Sequence, residues 1–275
     1  MVATPIGNLE DITLRALRVL KEADLIACED TRQTQKLLNH YGISTRTVSY
    51  HEHNEASRAE ELLKELEAGK RIALVSDAGM PGISDPGFRV AGLAAERGMD
   101  IVPIPGASAV ISALAASGLP TDSFEFHGFL PPKSGQRRKV LRGILDSQKT
   151  EIFYEAPHRL KEAVRDVVEV LGASRPVVVA RELTKIHEEF MRGTASQVLS
   201  VLDSRGEVRG EITLLIGKGE DAVDDHRPQS VFERVRQIMN EQKLDEKAAL
   251  KAVAKERGIS KSEAYRSLQQ ERTTK

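Results

Sequence analysis

The residue types best suited to chemistry are concentrated in one loop, residues 76–87 (SDAGMPGISDPG). Three glycines and two prolines in twelve residues make a stiff backbone that a ligand can approach closely. The loop follows a predicted strand at residues 71–76, and open α/β sheets bind ligands at the carboxyl ends of their strands. We therefore expect this loop to line a ligand site.

Several common catalytic motifs are absent from the sequence. It contains no Gly-x-x-x-x-Gly-Lys-[Ser/Thr] and no Gly-x-Gly-x-x-Gly, which argues against a P-loop hydrolase and a Rossmann cofactor site. Gly-x-Ser-x-Gly is also missing, which weakens an α/β-hydrolase interpretation. His51 and His53 could bind a metal, but no third ligand candidate is spaced nearby. An exposed loop pair is favoured, and no metal site is predicted.

Length and charge divide the chain. At about 150 residues per domain, 275 residues predict roughly two domains. Residues 226–275 carry 12 Lys and Arg against 7 Asp and Glu, a net charge of +5, which leaves -6 for the first 225 residues. We predict two α/β domains at residues 1–118 and 119–225, followed by a basic helical module at 226–275. Its helices around Gly258 favour a helix-turn-helix or a three-helix accessory bundle.

Local patterns predict an α/β fold in which short β-branched runs alternate with helical spacing. The predicted strands are residues 24–28, 71–76, 100–104, 123–127, 151–154, 176–180, 188–192 and 211–216, which suggests a mixed sheet. The predicted helices include the segment with Leu14, Leu17 and Leu20, and residues 54–68, 158–171, 195–202, 231–241, 246–257 and 261–271. Asn54, Asp245 and Ser260 are the expected N-terminal caps.

Compartment follows from cysteine content and from the most apolar segment. Cys28 is the single cysteine, so no intramolecular disulfide is possible and a reducing cytoplasm is favoured. Residues 101–121 carry no charge, but Pro103, Pro105 and Gly118 interrupt them, so no membrane span is expected.

Seven motifs occur in a characteristic order. They are residues 4–16 (TPIGNLEDITLRA), 29–32 (EDTR), 76–87 (SDAGMPGISDPG), 105–109 (PGASA), 128–131 (GFLP), 154–159 (YEAPHR) and 181–185 (RELTK). This set resembles the ribose 2'-O-methylating branch of the tetrapyrrole methylase superfamily, which acts on small-subunit ribosomal RNA. The resemblance covers nearly the whole chain.

The resemblance implies a function and a set of binding residues. It implies two α/β domains with S-adenosylmethionine in the cleft between them, and a homodimer that methylates the 2'-hydroxyl of a cytidine in the decoding region of 16S ribosomal RNA, as free RNA or as the assembled 30S particle. The implied cofactor residues are Pro5, Ile6, Asp77, Gly79, Gly82, Ile83, Ser108, Ala109, Tyr154, Leu183 and Glu211.

The first residues depart from the pattern of the tetrapyrrole-modifying relatives. Those relatives open with Gly-x-Gly-Pro-Gly, whereas this chain has residues 3–7 (ATPIG), which favours the RNA branch. Only Met1 and Val2 precede that turn, fewer than the usual five residues of a strand, so a weak first strand is expected.

A ribose hydroxyl is a poor nucleophile, so a group that accepts its proton should assist the transfer. Glu29, Asp30, Glu155, Glu182 and Lys185 are the candidates. Lys185 is favoured, together with Glu182, if burial lowers its pKa, and Asp30 is also retained as a catalytic residue. The alternative is that Glu182 and Lys185 simply pair with each other or with Arg159.

Basic side chains predict the RNA surface, because phosphate contacts dominate nucleic-acid affinity. The candidates are Arg32, Lys133, Arg137, Arg138, Lys139 and Arg159, with Arg142 in the same run and the basic tail as a further contact. Two other functions stay open: C-methylation of a tetrapyrrole such as a corrin or sirohaem precursor, and nucleic-acid binding by a non-enzymatic protein through its tail.

Overall fold

The computed structural model describes residues 1–219, 234–236, 238, 239, 245–256 and 260–273. The chain divides into two compact units, Met1–Gly219 and Glu220–Lys275. The predicted boundary at 118/119 falls inside the first unit, between its two sheets, and it stays a prediction. Among the helices that these residues form, none is long and apolar enough to cross a membrane.

The first part of the larger unit is a small parallel sheet surrounded by helices. Its strands are β1 (Leu25–Cys28), β2 (Thr47–Ser49) and β3 (Ile72–Val75), in the order β2-β1-β3. Its helices are α1 (Leu14–Glu22), α2 (Thr31–His40), α3 (Glu55–Glu67), α4 (Phe88–Glu96) and α5 (Ala109–Ser117), with a short 3-10 helix at Leu9–Asp11. All four residues of β1 are buried, as expected for a parallel strand covered on both faces.

Residues 1–4 lie beside β3, where they make isolated hydrogen bonds but do not form a strand. The Val2 amide donates to the Leu74 carbonyl at 2.8 Å, and Val2 pairs in parallel with Ile104. The strand predicted at 100–104 is therefore wrong in extent, since only Ile104 makes a β-bridge. Its partner is the short segment around Val2, which forms no β-bridge with Ile101 or Val102, and both of these side chains are exposed.

The second sheet is mixed, as the sequence suggested. Its strands are β4 (Phe124–Phe129), β5 (Thr150–Glu155), β6 (Pro176–Arg181), β7 (Glu189–Thr194) and β8 (Ile212–Ile216), in the order β4-β5-β8-β6-β7. β4 and β5 pair in parallel, and the remaining neighbours pair antiparallel. Its helices are α6 (Ser134–Gly143), α7 (Leu160–Leu171) and α8 (Ala195–Ser204), with a 3-10 turn at Pro157–Arg159 before α7.

The two faces of this sheet have different partners. Phe153 of β5 faces the core that includes Leu141, Val164 and Val198 from α6, α7 and α8. Ile152 and Tyr154 face the other way, toward a cluster to which α5 contributes. Because side chains alternate along a strand, Glu155 points to the same face as Phe153 and away from Tyr154.

Helix boundaries follow local capping with one difference from expectation. Asn54 stands at the N-terminus of α3, but its side chain makes no cap hydrogen bond and accepts instead from the His51 amide at 2.9 Å. α5 ends at Gly118, which adopts the left-handed conformation that favours glycine. The loop after Gly118 leads directly into β4.

The smaller unit is helical where it is described. Its helices are α9 (Glu246–Glu256) and α10 (Lys261–Thr273), and residues 234–236, 238 and 239 are also helical. Asp245 and Ser260 accept hydrogen bonds from the amides of Ala248 and Glu263, which confirms both predicted caps. Gly258 and part of the predicted helix at 231–241 lie outside the described residues. The helix-turn-helix stays a prediction.

Candidate functional site

A cavity of about 410 Å³ opens at the edge where several strands of the larger unit end. It lies at the carboxyl ends of β4, β5 and β6 and beside the loop that follows β3. This size falls in the range of sites for small organic ligands. The cavity therefore occupies the edge at which α/β sheets bind ligands.

Many of the sequence-predicted cofactor residues meet in this cavity. Eight of the eleven line it: Ile6, Gly79, Ile83, Ser108, Ala109, Tyr154, Leu183 and Glu211. Pro5, Asp77 and Gly82 are not among the lining residues. Each of them is the chain neighbour of a lining residue, namely Ile6, Ala78 or Ile83.

Two loops are joined directly beneath the cavity. The Thr4 amide donates to the Gly79 carbonyl at 2.9 Å, and the Gly79 amide donates back to Thr4 at 3.1 Å. The Thr4 hydroxyl also donates to the Ser76 carbonyl at 3.1 Å. Gly79 has a φ of +80°, and a Cβ there would lie 3.5 Å from the Ile6 side chain. Glycine thus allows the loop after β3 to turn against residues 4–6.

The described backbone holds three non-glycine residues with positive φ, and all three border the cavity. Ser84 lines it with φ +59°, while Glu182 (φ +53°) and Thr184 (φ +66°) flank the lining residue Leu183. Such conformations cost on the order of 1–3 kcal/mol each and cluster at binding and catalytic sites. Glu182 is also close to Gly210, where a Cβ would lie 2.4 Å from the Glu182 side chain.

Negative charge gathers on the side of the cavity formed by the loop after β3. Burial raises the pKa of the Asp85 carboxyl, and the nearby charge of Asp77 raises it further despite a contact with Ser76. Burial likewise raises the pKa of Tyr154, and the charges of Asp85 and Glu211 add to the rise. Glu29 has a raised pKa for the same reasons, burial first and then Asp85 and Asp77. This wall suits a positively charged ligand.

The favoured proton acceptor Lys185 is held in an ion-pair cluster. Its ammonium lies 2.8 Å from Glu182 Oε1 and 3.1 Å from Glu211 Oε2. Burial alone would lower the pKa of Lys185, but the hydrogen bonds to Glu182 and Glu211 outweigh it and raise the pKa. The pKa of Glu182 is lowered, chiefly by Lys185. Lys185 therefore stays protonated at neutral pH, and the pairing alternative describes the structure.

The other candidate acids are also engaged. Asp30 caps the start of α2 by accepting from the Arg32 amide at 2.8 Å, and its own amide donates to Asp77 at 3.1 Å. The Glu155 side chain is buried and accepts from Arg159 at 2.9 Å, on the sheet face turned away from the cavity. Glu155 therefore contributes its backbone to the lining rather than its carboxylate.

Sequence reasoning missed several lining residues, among them Asp85, Phe129, Gly210 and Thr213. Asp85 and Phe129 both lie in motifs named above. Each motif follows a predicted strand, and this position could have indicated that both residues line the site. Phe129 is largely exposed and packs edge-to-face against Tyr154, with ring centroids 5.5 Å apart. Gly210 and Thr213 flank the predicted residue Glu211 at the start of β8, but nothing in the local sequence marks them as lining residues.

The predicted basic surface divides into buried and free side chains. Arg137 is only 1% exposed, and Arg137 and Arg138 both bind the Asp166 carboxylate within 2.7 Å. Arg137 is thus a buried packing residue and cannot contact RNA as predicted. Lys133, Lys139 and Arg142 are exposed and have no side-chain partner in the described residues.

Two further cations of the predicted RNA surface differ in how exposed their side chains are. Arg32 is highly exposed and lies 3.7 Å from Asp30, whereas Arg159 is mostly buried beside Glu155. An exposed pair of this kind contributes little to stability, so Arg32 is free to exchange its partner. Arg159 is held by its buried partner and offers little surface to an RNA.

One cluster of potential metal ligands occurs in the described residues, formed by Glu125, His127 and Glu151 within 4.8 Å of one another. Each member already has a partner: His127 bonds to Glu151, and Lys149 bonds to Glu125 at 2.9 Å. The cluster joins β4 to β5 on the face opposite the cavity. Its hydrogen bonds account for it as a cross-strand contact.

The pair His51 and His53 has a similarly local explanation. Their rings lie 6.0 Å apart, and a His51 ring nitrogen lies 3.3 Å from the Asn54 amide. His53 is exposed and His51 is half-buried, so the predicted exposed pair holds for one member only.

A second cavity of about 420 Å³ lies beside β3, between α3, α4 and the segment that ends at Ile104. Its wall is mainly aliphatic, and it shares no residue with the first cavity. Its few charged groups are Glu22, Lys70, Arg71 and Asp100. It lacks the acidic wall and hydroxyls of the first cavity, so we assign no chemistry to it.

The fold and the first cavity define an α/β protein with a small-molecule site at the edge of its sheets, and comparison with known proteins supplies the family. A family profile described as tetrapyrrole (corrin/porphyrin) methylases matches residues 1–199. The chain belongs to this family. Membership of a methyltransferase family implies a methyl donor.

Relatives of known name cover nearly the entire chain. The chain is 48% identical over 274 residues to ribosomal RNA small subunit methyltransferase I of Halalkalibacterium halodurans, covering 98% of this chain and 94% of the relative. It is 44% identical over 270 residues to the protein of the same name from Bacillus subtilis, with coverage of 96% and 91%. Both alignments span nearly the whole chain.

Solved structures agree on the fold. A diphthine synthase superposes with a TM-score of 0.60 at 14% identity, covering 78% of this chain and 88% of that one. A uroporphyrin-III C-methyltransferase from Thermus thermophilus gives 0.56 at 19% identity, with coverage of 79% and 92%. At these identities the likeness concerns the fold alone.

Proposed function

We propose that this chain transfers a methyl group from S-adenosylmethionine to the 2'-hydroxyl of a cytidine in the decoding region of 16S ribosomal RNA. The observation that carries the proposal is the near full-length identity, 48% over 98% of the chain, to a relative named for the small ribosomal subunit. The opening segment ATPIG, without Gly-Pro-Gly, supports the RNA branch of the family.

The cavity fits the proposed cofactor in size and chemistry. Its lining carboxylate Glu211 complements the positive charge of a sulfonium or an ammonium group. Ser108 caps the start of α5, so the free amides of that first turn can receive a carboxylate. Gly79 leaves close-approach space that a side chain would fill. We retain Pro5, Asp77 and Gly82 as residues that support the cavity wall from behind.

The chemistry asked of the protein is modest. When bound, S-adenosylmethionine supplies a methyl group on positively charged sulfur, which is already activated. The chain's own residues need to hold the acceptor oxygen in line with that methyl group and keep water out. Ile6, Ile83 and Leu183 supply apolar walls for this purpose.

The predicted catalytic residues receive revised roles. Lys185 and Glu182 act as positioning residues, because their ion pair fixes Glu211 and the strained segment around Leu183. Asp30 fixes the loop after β3 through Asp77. None of the three is free to take a proton from the substrate while these contacts persist.

Contacts to RNA are assigned to the free cations. Lys133, Lys139 and Arg142 of the α6 segment, with Arg32 at the start of α2, can meet phosphates without breaking a buried pair. Phe129 offers an exposed aromatic face at the cavity, where a base can stack. The +5 tail would add further phosphate contacts.

Assembly and compartment complete the proposal. We propose a homodimer, supported by the large exposed apolar side chains Leu14, Phe88 and Ile186, and light scattering would test it. The cytoplasm is proposed because ribosomal RNA is the substrate.

The direct test is methyl transfer from labelled S-adenosylmethionine. The purified full chain is incubated with free 16S RNA or with assembled 30S particles, and the labelled position is mapped by nuclease digestion. Label at one cytidine ribose supports the proposal. Absence of label on both substrates, in protein shown by calorimetry to bind the cofactor, refutes it.

The same purified protein distinguishes the proposed function from the two alternative functions. A tetrapyrrole C-methylase would label a corrin or sirohaem precursor and leave RNA unlabelled, a possibility kept by the family to which the chain belongs. A non-enzymatic nucleic-acid-binding protein would bind RNA and label neither substrate.

A further inference from the structure

The cavity lining of the described chain contains three carboxyl residues, Asp85, Glu155 and Glu211. Glu211 is bound to Lys185, and the Glu155 carboxylate points to the opposite sheet face and is paired with Arg159. Asp85 has no ion-pair partner among the described residues and borders the cavity from the stiff loop. It is therefore the one lining carboxylate of this region that no cation holds.

The surroundings of Asp85 favour a basic carboxylate. Burial and the charge of Asp77 raise the pKa of Asp85 and outweigh a hydrogen bond from Ser76 that lowers it, and Glu29 is a further carboxyl group that interacts with Asp85. The raised pKa makes Asp85 a better proton acceptor than an ordinary aspartate. Across the cavity, Tyr154 feels the Asp85 charge, so the two side chains face a shared space. Ser84, immediately before Asp85, is held at φ +59°, which fixes the direction in which the following residue leaves the loop.

We propose that Asp85 is the catalytic residue that accepts the proton of the substrate hydroxyl. The inference rests on the proposed methyl transfer to a ribose. The substrate O–H bond breaks and its proton goes to an Asp85 oxygen, while the oxygen lone pair forms the new O–C bond to the methyl group. The electron pair of the breaking C–S bond stays with sulfur, which leaves as a neutral thioether. Asp85 then releases its proton to water.

The test compares Asp85→Asn, Asp85→Glu and the unchanged full chain in single-turnover methylation of RNA. Asp85→Asn is expected to lower the rate 10²- to 10⁴-fold, the usual contribution of a positioned base. The unchanged chain should gain rate as pH rises through a pKa above the ordinary aspartate value, and this dependence should vanish in Asp85→Asn. Asp85→Glu keeps a carboxylate and should recover part of the rate together with the pH dependence.

Glu211→Gln serves as the matched control, because Glu211 lines the same cavity but is paired with Lys185. It is expected to weaken cofactor binding in calorimetry and to retain the pH dependence of the rate. An Asp85→Asn protein that binds cofactor and RNA normally and keeps the full rate would overturn the inference. Loss of cofactor binding in Asp85→Asn would overturn it too, since Asp85 would then be a binding group.

Thermal stability gives an independent readout. The folded chain holds a proton on Asp85 more tightly than the unfolded chain does, so ionisation costs stability as pH rises through the folded-state pKa. Asp85→Asn is thus expected to raise Tm at neutral pH while it lowers the rate. If the unchanged chain labels no RNA, the proposed function itself fails. A lower Tm of Asp85→Asn at neutral pH would instead contradict the argument that burial disfavours the ionised Asp85 carboxylate.

Discussion

At the scale of single residues, Gly79 is a cavity-lining position at which a long side chain is expected to obstruct the ligand. Its φ of +80° and its paired hydrogen bonds with Thr4 place its α-carbon against the ligand space. Gly79→Arg is expected to abolish cofactor binding, because the side chain fills that space. Calorimetry with S-adenosylmethionine measures this directly.

Gly98→Arg is the matched control for that change. Gly98 has a similar φ of +69°, but a Cβ there would meet nothing within 4 Å. Both substitutions carry the same backbone strain, and only Gly79→Arg should lose the ligand. Equal cofactor affinities in the two variants would show that the cavity is not the binding site.

Residue roles were only partly predictable from sequence. The glycines and prolines of the loop after β3 predicted a ligand site there, and the family resemblance implied the individual cofactor residues. The motifs could not reveal that Lys185 would meet Glu211, a residue 26 positions further along the chain that adds a second carboxylate to its ion pair. Nor could they tell Asp85 from Asp77, since which of the two carboxylates borders the cavity depends on the turn between them.

At the scale of elements, α6 is fixed to α7 by a buried charge network. The Asp166 carboxylate accepts from Arg137 and Arg138, and burial of Asp166 is outweighed by these hydrogen bonds, so its pKa is lowered. Removing one partner of a buried pair leaves an uncompensated charge, which costs about 3–5 kcal/mol. The network therefore positions the helix that carries the proposed RNA contacts.

Asp166→Asn is expected to destabilise the fold by about 3–5 kcal/mol in urea unfolding at pH 7. The lowered pKa means that this stabilisation is present above the unfolded-state pKa and is lost as pH falls through the folded-state pKa. Asp203→Asn, which removes an exposed carboxylate bound to Lys161, should cost far less, because solvent screens an exposed ion pair. A similar loss in both variants would contradict a special role of the buried network.

Helices and strands were predicted correctly where apolar and polar residues contrast clearly along the sequence. Seven of the eight predicted strands correspond to strands of the structure within one or two residues at each end, because β-branched and aromatic residues are enriched in strands. The helix α5 was missed because its sequence, AVISALAAS, is apolar on nearly every side and has no periodic contrast. The polar helices α2 and α6 were missed for the opposite reason. The segment at 100–104 failed because a strand needs a partner, which local sequence does not reveal.

At the scale of the whole molecule, charge is divided between the last fifty residues and the rest of the chain. The sequence gives +5 for residues 226–275 and -6 for the rest, so the near-neutral total is a cancellation. This division was visible from composition alone. The arrangement of the tail helices was not, because capping residues define where helices begin and not how they pack.

Deleting residues 226–275 is expected to weaken RNA affinity and to flatten its dependence on salt, because fewer phosphates would be neutralised. Cofactor binding should be unchanged, since every lining residue of the cavity lies before residue 214. Filter binding over a range of salt concentrations measures the slope. An identical slope in the full and shortened chains would remove the tail from the RNA surface.

The strained residues around the cavity have a consequence for heat resistance. Ser84 keeps a left-handed backbone that glycine would adopt freely, so Ser84→Gly is expected to raise unfolding stability by about 1 kcal/mol. The same change frees the direction of the next side chain and should slow methyl transfer. Thermal melts and single-turnover rates on one preparation test both effects.

Ser174→Gly is the control for that substitution, because Ser174 is an exposed serine without positive φ, and glycine there should lower stability slightly. A higher melting temperature and a slower reaction of Ser84→Gly would show that the strained backbone at Ser84 favours catalysis and lowers thermal stability. Laboratory selection for thermal tolerance alone would then remove the strain first, and enrich for long-lived proteins that modify few ribosomes.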